Sequence, residues 1–221
     1  MKLRALLCWA AVGILFAPAV LRADIDRLKD AQEVLTEMAT SKDEGIPVDL
    51  IDQAKCLAIV PGVKKAAVGI GGQYGRGYLV CRRADGKRWS APGAVKIEGG
   101  SFGLQIGGAE TDVIMIVRND RGVDRLLSNK FTVGADAAVA AGPIGRQAGA
   151  QTDATMRAEI LAWSHSRGVF AGIALQGATF REDDRENKKL YGQEMSNRDI
   201  VKGDMPVPNG AEGLIAALSK Y

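Results

Sequence analysis

The sequence predicts an α+β fold, with a glycine-rich, mostly antiparallel curved sheet or barrel-like core and flanking N- and C-terminal helices. Three observations predict it. Short apolar runs follow one another from Cys56 onward, with turn signals between them. The chain holds 27 glycines, many inside those runs, where a missing side chain permits bends and close backbone approach. Helical periodicity is concentrated near the two ends, at Asp24–Thr40 and after Arg181.

The small-residue stretch Phe131–Thr155 lies at the centre of this pattern. Alanine favours helix there. Four glycines at about 1 kcal/mol each and Pro143 at about 3 kcal/mol oppose it. Phe131, Val133, Ala135, Ala137 and Val139 alternate at strand period, so two strands around a turn at Gly142-Pro143 are expected. Asp136 is a carboxylate among small apolar neighbours. It either accepts backbone N–H bonds at a bend or pairs with Arg146, or it contacts a ligand or metal; no His or Glu cluster nearby supports the metal.

From the start of the chain, Lys2 and Arg4 precede the apolar run Ala5–Val20, and Ala17-Pro18-Ala19 offers a cleavage site. The run is short for a membrane span, so residues 1–23 read as a signal peptide and residues 24–221 as a single domain. Cys8 sits inside the run, which argues against a lipid anchor there. Asp24–Thr40 is an amphipathic helix whose polar face is net acidic, unlike the basic face of most membrane-surface helices. Pro47–Ala54 reads as a short second helix. Cys56–Val60 is a strand stopped by Pro61-Gly62. Ala66–Tyr74 and Gly77–Arg83 are strands joined near Gly75, and Asp85-Gly86 is a turn. Ala94–Glu98 and Ser101–Gly108 are strands joined by a turn at Gly99-Gly100. Asp112–Arg118 is the most continuous apolar strand, buried on both faces. After a turn at Asn119–Gly122 come a short helix Val123–Asn129, a hairpin of Glu159–His165 with Val169–Gln176, and helices at Arg181–Tyr191, Asp199–Lys202 and Ala211–Lys220.

The whole chain has 29 basic and 26 acidic residues; without Lys2, Arg4 and Arg22 the balance is 26 to 26, so nothing in the charge argues for nucleic acid. Cys56 and Cys81 remain beyond the signal segment. In an exported protein they form either one disulfide or two separate buried thiols. With one histidine, they cannot build a closed zinc site without carboxylates. The glycines of Gly69–Gly77 lack the strand–helix context and the Lys-Ser/Thr of a phosphate loop. Ser101 lacks a nucleophile elbow, and His165, the only available imidazole, reads as a strand residue. No catalytic residue, cofactor or metal is assigned, and the chain is expected not to be an enzyme. Lys64-Lys65, Arg82-Arg83 and Lys87-Arg88 beside Trp89 cluster locally, the last two groups flanking one hairpin turn. Such a turn is either an ordinary solvated one over a buried Trp, or a dock for lipid headgroups.

Seven fragments in order carry a resemblance: Ala54–Pro61, Gly69–Gly77, Trp89–Pro92, Gly100–Gly107, Thr132–Asp136, Ala141–Arg146 and Ser166–Gly172. Together, over about residues 30–203, they resemble the SYLF lipid-binding domain. The resemblance implies a non-enzymatic module for membrane phospholipid or a related amphiphile, phosphoinositides in eukaryotic members, with actin-binding, Src-homology-3-bearing relatives in fungi. The signal segment makes this an exported member, periplasmic or secreted and most simply of a bacterial envelope, where actin is not an available partner. The candidate lipid contacts are Lys64, Lys65, Arg82, Arg83, Lys87, Arg88 and Trp89. The alternative is an envelope protein-interaction or structural module without a lipid ligand.

Overall fold

The structure, a computed structural model, describes residues 19–41, 45–128, 130–136, 139–142, 157–166, 169–170, 175 and 177–221; side chains at 19–25, 66–70, 101–108, 166, 169 and 170 are left aside. In chain order the elements are α1 (Ala19–Thr40), α2 (Val48–Asp52), β1 (Cys56–Cys81), β2 (Gly93–Val117), α3 (Asp120–Leu126), β3 (Phe131–Thr132), β4 (Val139–Ala141), β5 (Ile160–Ser166), β6 (Val169–Phe170), β7 (Thr179–Glu182), α4 (Asp184–Tyr191), α5 (Asn197–Lys202) and α6 (Glu212–Leu218). The expected α+β class and curved sheet are observed.

One two-stranded ribbon dominates the chain. β1 pairs antiparallel with β2 from Cys56↔Val117 through to Leu79↔Gly93. A straight strand of 26 residues would span roughly 85 Å. Instead β1 curls until its ends meet: the Cα atoms of Cys56 and Cys81 are 3.9 Å apart and their sulfurs are bonded. Of the two readings of these cysteines, the disulfide is the observed one. Closing a loop of 25 residues contributes about 3.5 kcal/mol in the chain-entropy account. The backbone N–H of Arg82 also donates to the Lys55 carbonyl at 2.8 Å, closing the same gap.

This curl corrects the element boundaries. Pro61-Gly62 does not stop the strand; it forms a bulge between Val60 and Val63. Gly62 lies at φ 55°, and its N–H donates to Asp112 Oδ1 at 2.8 Å. Gly75 and Gly99-Gly100 are not turns either, because the ladder runs through Gly72↔Gly100, Gln73↔Gly99 and Gly75↔Ile97. Glycine bends a strand that its partner keeps paired. At Gly77 the need is steric: an added Cβ would lie 2.0 Å from the Ile59 carbonyl oxygen and 2.6 Å from Val60 Cα. The two halves of β1 pack against each other on the inner face of the curl.

The sheet is mixed. Its order is β3-β7-β2-β5-β4, with β1 on β2 and β6 on β5. β7 joins the first half of β2 and β5 the second half, while β4 runs parallel to β5. Strand alternation then makes two cores. The inner face gathers Val60, Leu79, Ile97, Met115, Phe131 and Phe180, closed by α3 and α5. The outer face gathers Leu57, Ile59, Tyr78, Ile114 and Trp163 under Leu28, Leu35 and Met38 of α1 and Leu214 and Leu218 of α6. Val113–Val117 are buried throughout, as a strand covered on both faces requires.

Caps explain the shifted helix starts. Asn119 accepts from Gly122 N at 2.8 Å, so α3 begins before Val123. Asp183 accepts from Glu186 N, so α4 begins after β7 rather than at Arg181. In the small-residue stretch, Phe131 and Thr132 pair with β7, and the chain then turns at Gly134, φ 84°. The Thr132 N–H donates to Asp136 Oδ2 at 2.6 Å, the structural role expected of an acid at a bend. The Arg146 pairing and the Gly142-Pro143 turn fall on or beyond residues outside those described.

Two predictions follow from this packing. Gly77→Ala should destabilise by about 3 kcal/mol through overpacking, whereas Gly86→Ala, with open space but φ 68°, should cost only about 1 kcal/mol; urea denaturation measures both. Tyr191 donates its hydroxyl to the Pro92 carbonyl at 2.7 Å. Burial, with a smaller contribution from Tyr78, raises its pKa above the ordinary 10.0. Its stabilising contribution is therefore full below pH 10 and lost as pH climbs toward the raised folded value, and Tyr191→Phe should flatten that alkaline decline in stability.

Candidate functional site

The residues that follow β1 form a locked turn. Asp85 Oδ1 accepts from Lys87 N at 2.9 Å and Arg88 N at 3.0 Å, and Oδ2 takes Arg88 Nε at 2.6 Å. These donors, the Arg88 backbone first and its guanidinium next, hold the Asp85 carboxyl well below the usual carboxylate range. Gly86 supplies the left-handed residue at φ 68°. Lys87 and Arg88 are left on the exposed side.

Arg82 and Trp89 face the other way. The indole is 4% exposed, and its Nε1–H donates to the Leu218 carbonyl at 3.0 Å. The Arg82 guanidinium lies 4.4 Å from the centre of that ring. It donates to the carbonyls of Ala54 at 3.2 Å, Ile51 at 3.3 Å and Tyr221 at 2.8 Å. Arg82 therefore ties α2, the turn and the end of α6 together. Arg83 donates to the carbonyls of Gly203 and Met205 and pairs with Asp204 at 3.1 Å.

Beside this turn, where the ribbon closes, lies a cleft of ≈ 500 Å³ lined by Lys55, Arg82, Arg83 and Lys202, the Cys56–Cys81 bridge, and Asp120 and Asp124 of α3. Lys55 approaches Asp120 at 3.9 Å, and Lys202 approaches Asp124 at 3.3 Å. The lining carries four cations against two carboxylates.

The seven expected lipid contacts are thus divided. Arg82, Arg83, Lys87 and Arg88 share the cleft or its adjoining turn, with Trp89 beneath them in the outer core. Lys64 and Lys65 do not join them. They stand on β1 beyond the bulge, opposite Glu110 and Ala109. Lys64 lines a second cleft of ≈ 600 Å³, together with Arg27, Asp30, Glu33 and Glu37 of α1, Arg76 of β1, and Glu110 and Asp112 of β2, five carboxylates against three cations. Burial, then the charges of Glu33 and Asp26, raises the Asp30 pKa. The acidic face of α1 was legible in sequence; its convergence with β2 carboxylates was not.

His165 sits on β5 with Nδ1 3.6 Å from Glu37 Oε1, at the margin of that acidic region. The Ser101 side chain lies outside those described. Among the described residues no group of three or more His, Cys, Asp or Glu could hold a metal ion.

A buried charge network escaped the sequence reading. Arg76 donates to Asp183 Oδ2 at 2.6 Å and to Glu186 Oε2 at 2.8 Å, and Arg27 reaches Glu186 Oε1 at 3.0 Å. Burial lowers the Arg76 pKa, but the Asp183 hydrogen bond and the two carboxylate charges outweigh it and raise the value overall. Beside the network, Asn187 Oδ1 accepts from Ala94 N at 2.7 Å, and Asn197 Nδ2 donates to Ala94 O at 2.9 Å, fastening α4 and α5 to β2. The Asp183-x-x-Glu186 spacing, a helix-start signature, was the available signal.

Comparison with known proteins places the sequence in a family. The family model Ysc84, described as "Las17-binding protein actin regulator", matches residues 98–221. SH3 domain-containing YSC84-like protein 1 of Homo sapiens is 34% identical over 207 residues, covering 92% of this chain and 60% of that protein. Protein YSC84 of Saccharomyces cerevisiae is 34% identical over 179 residues, covering 80% of this chain and 38% of that protein. LAS seventeen-binding protein 3 of the same yeast is 34% identical over 179 residues, covering 80% of this chain and 39% of that protein. The chain thus spans between about two fifths and three fifths of the length of these relatives. It belongs to the Ysc84, or SYLF-domain, family.

Proposed function

We propose that the chain is a non-catalytic binding module that docks on anionic phospholipid at a membrane surface, in an exported, envelope-associated setting. The observation that carries this reading is the cationic closure of the ribbon. Lys87 and Arg88 project from a turn held rigid by Asp85, and Lys55 and Lys202 stand around the adjoining cleft. A rigid turn loses little conformational freedom on docking, and each cation near an anionic surface contributes about 1 kcal/mol. Export is supported by the basic start and apolar run of the first twenty or so residues, and by a disulfide, which persists in oxidising compartments. Among the described residues no helix is long and apolar enough to cross a membrane.

A second reading is a protein partner. The cleft between α1 and the ribbon favours it, because its five carboxylates outnumber Arg27, Lys64 and Arg76 and leave a net acidic lining that suits a basic polypeptide better than anionic lipid. The yeast relative named for binding LAS seventeen is consistent with such a role.

Vesicle co-sedimentation of the full chain at low salt separates the readings. Recovery should be high with phosphatidylglycerol vesicles and low with phosphatidylcholine. Lys87→Gln with Arg88→Gln should weaken binding about thirtyfold, the equivalent of two surface charges. Equal recovery on both vesicle types would sink the lipid reading and leave the acidic cleft as the surface to pursue. Trp89→Ala should act differently, lowering stability by about 3–5 kcal/mol in urea denaturation, with vesicle recovery following only the folded fraction.

A further inference from the structure

We propose that the Cys56–Cys81 bridge is a thiol–disulfide exchange site, open to a dithiol reductant while the protein remains folded. This inference stands whether or not the chain binds lipid. Both half-cystines belong to the inner core, at its edge nearest the closing ends of β1. The bridge forms part of the wall of the ≈ 500 Å³ cleft beside α3. Both half-cystines have cationic chain neighbours that line the same cleft, Lys55 before Cys56, and Arg82 and Arg83 after Cys81. A reactive cysteine needs this environment, because nearby cations favour the thiolate that must leave when the bridge opens.

The exchange balances as follows. A thiolate of the dithiol attacks Sγ of Cys81, which at 5% exposure is the more accessible partner of Cys56 at 1%. The S–S bond breaks, and its electron pair leaves on Cys56 Sγ. The second thiol of the reductant then attacks the mixed disulfide and expels Cys81 Sγ as thiolate. The reductant becomes a disulfide, the protein gains two electrons, and the two protons of the dithiol end on the protein thiols.

The bridge is not the sole closure of the ribbon. Arg82 N donates to Lys55 O at 2.8 Å, and Lys55 N to Val117 O at 2.8 Å, bonds that do not depend on the sulfurs. Cys81 N donates to Ser90 Oγ at 3.0 Å, and Ser90 N to Cys81 O at 2.8 Å. The Arg82 side chain continues to hold α2 and the end of α6. The two sulfurs therefore remain neighbours after reduction, and reoxidation restores the same bond.

The test treats the full, folded chain with dithiothreitol without denaturant, quenches with iodoacetamide, and counts alkylated cysteines by mass. The expected rate constant rises linearly with dithiothreitol, and the far-UV circular dichroism of the reduced protein is retained. The anionic thiol 2-mercaptoethanesulfonate should react roughly tenfold faster than cationic cysteamine once rates are corrected for thiolate fraction, and Lys55→Gln should narrow that ratio. A rate independent of reductant concentration, equal to the unfolding rate, would overturn the proposal. So would loss of the sheet signal on reduction, or equal corrected rates for the two thiols.

Discussion

The closure of β1 on itself is the constraint from which the rest of the molecule is arranged. A strand of 26 residues cannot be straight in a domain of this size, and here its two ends are neighbours. Everything about the ribbon's composition serves that curl. Gly75 and Gly77 sit where the two halves of β1 approach each other, with no room for a side chain. The bulge at Pro61-Gly62 adds twist without ending the ladder. Because β2 follows β1 along its length, the curl is inherited by β5 and β7, each of which reads only one half of β2. The inner core is what the curl encloses, and the outer core is what α1 and α6 must cover.

A second fastening works through charge. Arg76 lies on the second half of β1 and Glu186 on α4, with Arg27 of α1 reaching the same carboxylate. Burying charges is costly, and such a network is weak grounds for net stability. Its geometric effect is clearer. Glu186 of α4 is held by Arg27 of α1 and Arg76 of β1, two elements distant in sequence, so α1, the ribbon and α4 share one anchor. Asn187 and Asn197 complete it by satisfying the backbone of Ala94 where β2 begins, a site where an unpaired N–H or C=O would be expensive.

The architecture was largely legible in the sequence because strand alternation, turn chemistry and helix caps are local signals. Asp85-Gly86 folds as its composition demands, and Asp112–Val117 carries the apolar run of a strand buried on both faces. Continuity was not legible. Gly75 and Gly99-Gly100 have the same local character whether a strand ends or merely bends, and only the partner across the ladder decides. The same holds for the expected lipid contacts. Lys87-Arg88-Trp89 left two readings open, a headgroup dock or a solvated turn over a buried Trp, and the fold decides: Trp89 is sent inward onto a helix more than a hundred residues away, and Arg82 follows it. The family resemblance was recoverable because its fragments keep their order. The buried network was not, because Arg76, Asp183 and Arg27 meet only in three dimensions.

The two clefts give the molecule opposite surfaces for one structural reason. Where β1 closes, backbone carbonyls from α2, α6 and the segment after α5 converge, and arginines answer them. Those guanidiniums remain cationic after satisfying the carbonyls, so a structural clasp leaves positive potential beside the Lys87-Arg88 turn. Further along β1, α1 lays its acidic face over the bulge, and Asp112 is drawn in to cap the Gly62 N–H. That cleft stays net negative, with five carboxylates against Arg27, Lys64 and Arg76. Under the proposed function, an anionic surface approaching the module would meet attraction at the closure and repulsion beside α1. Such a polarity would dock the module by the closing end of its ribbon, leaving the α1 cleft turned away from the lipid and available to a basic partner.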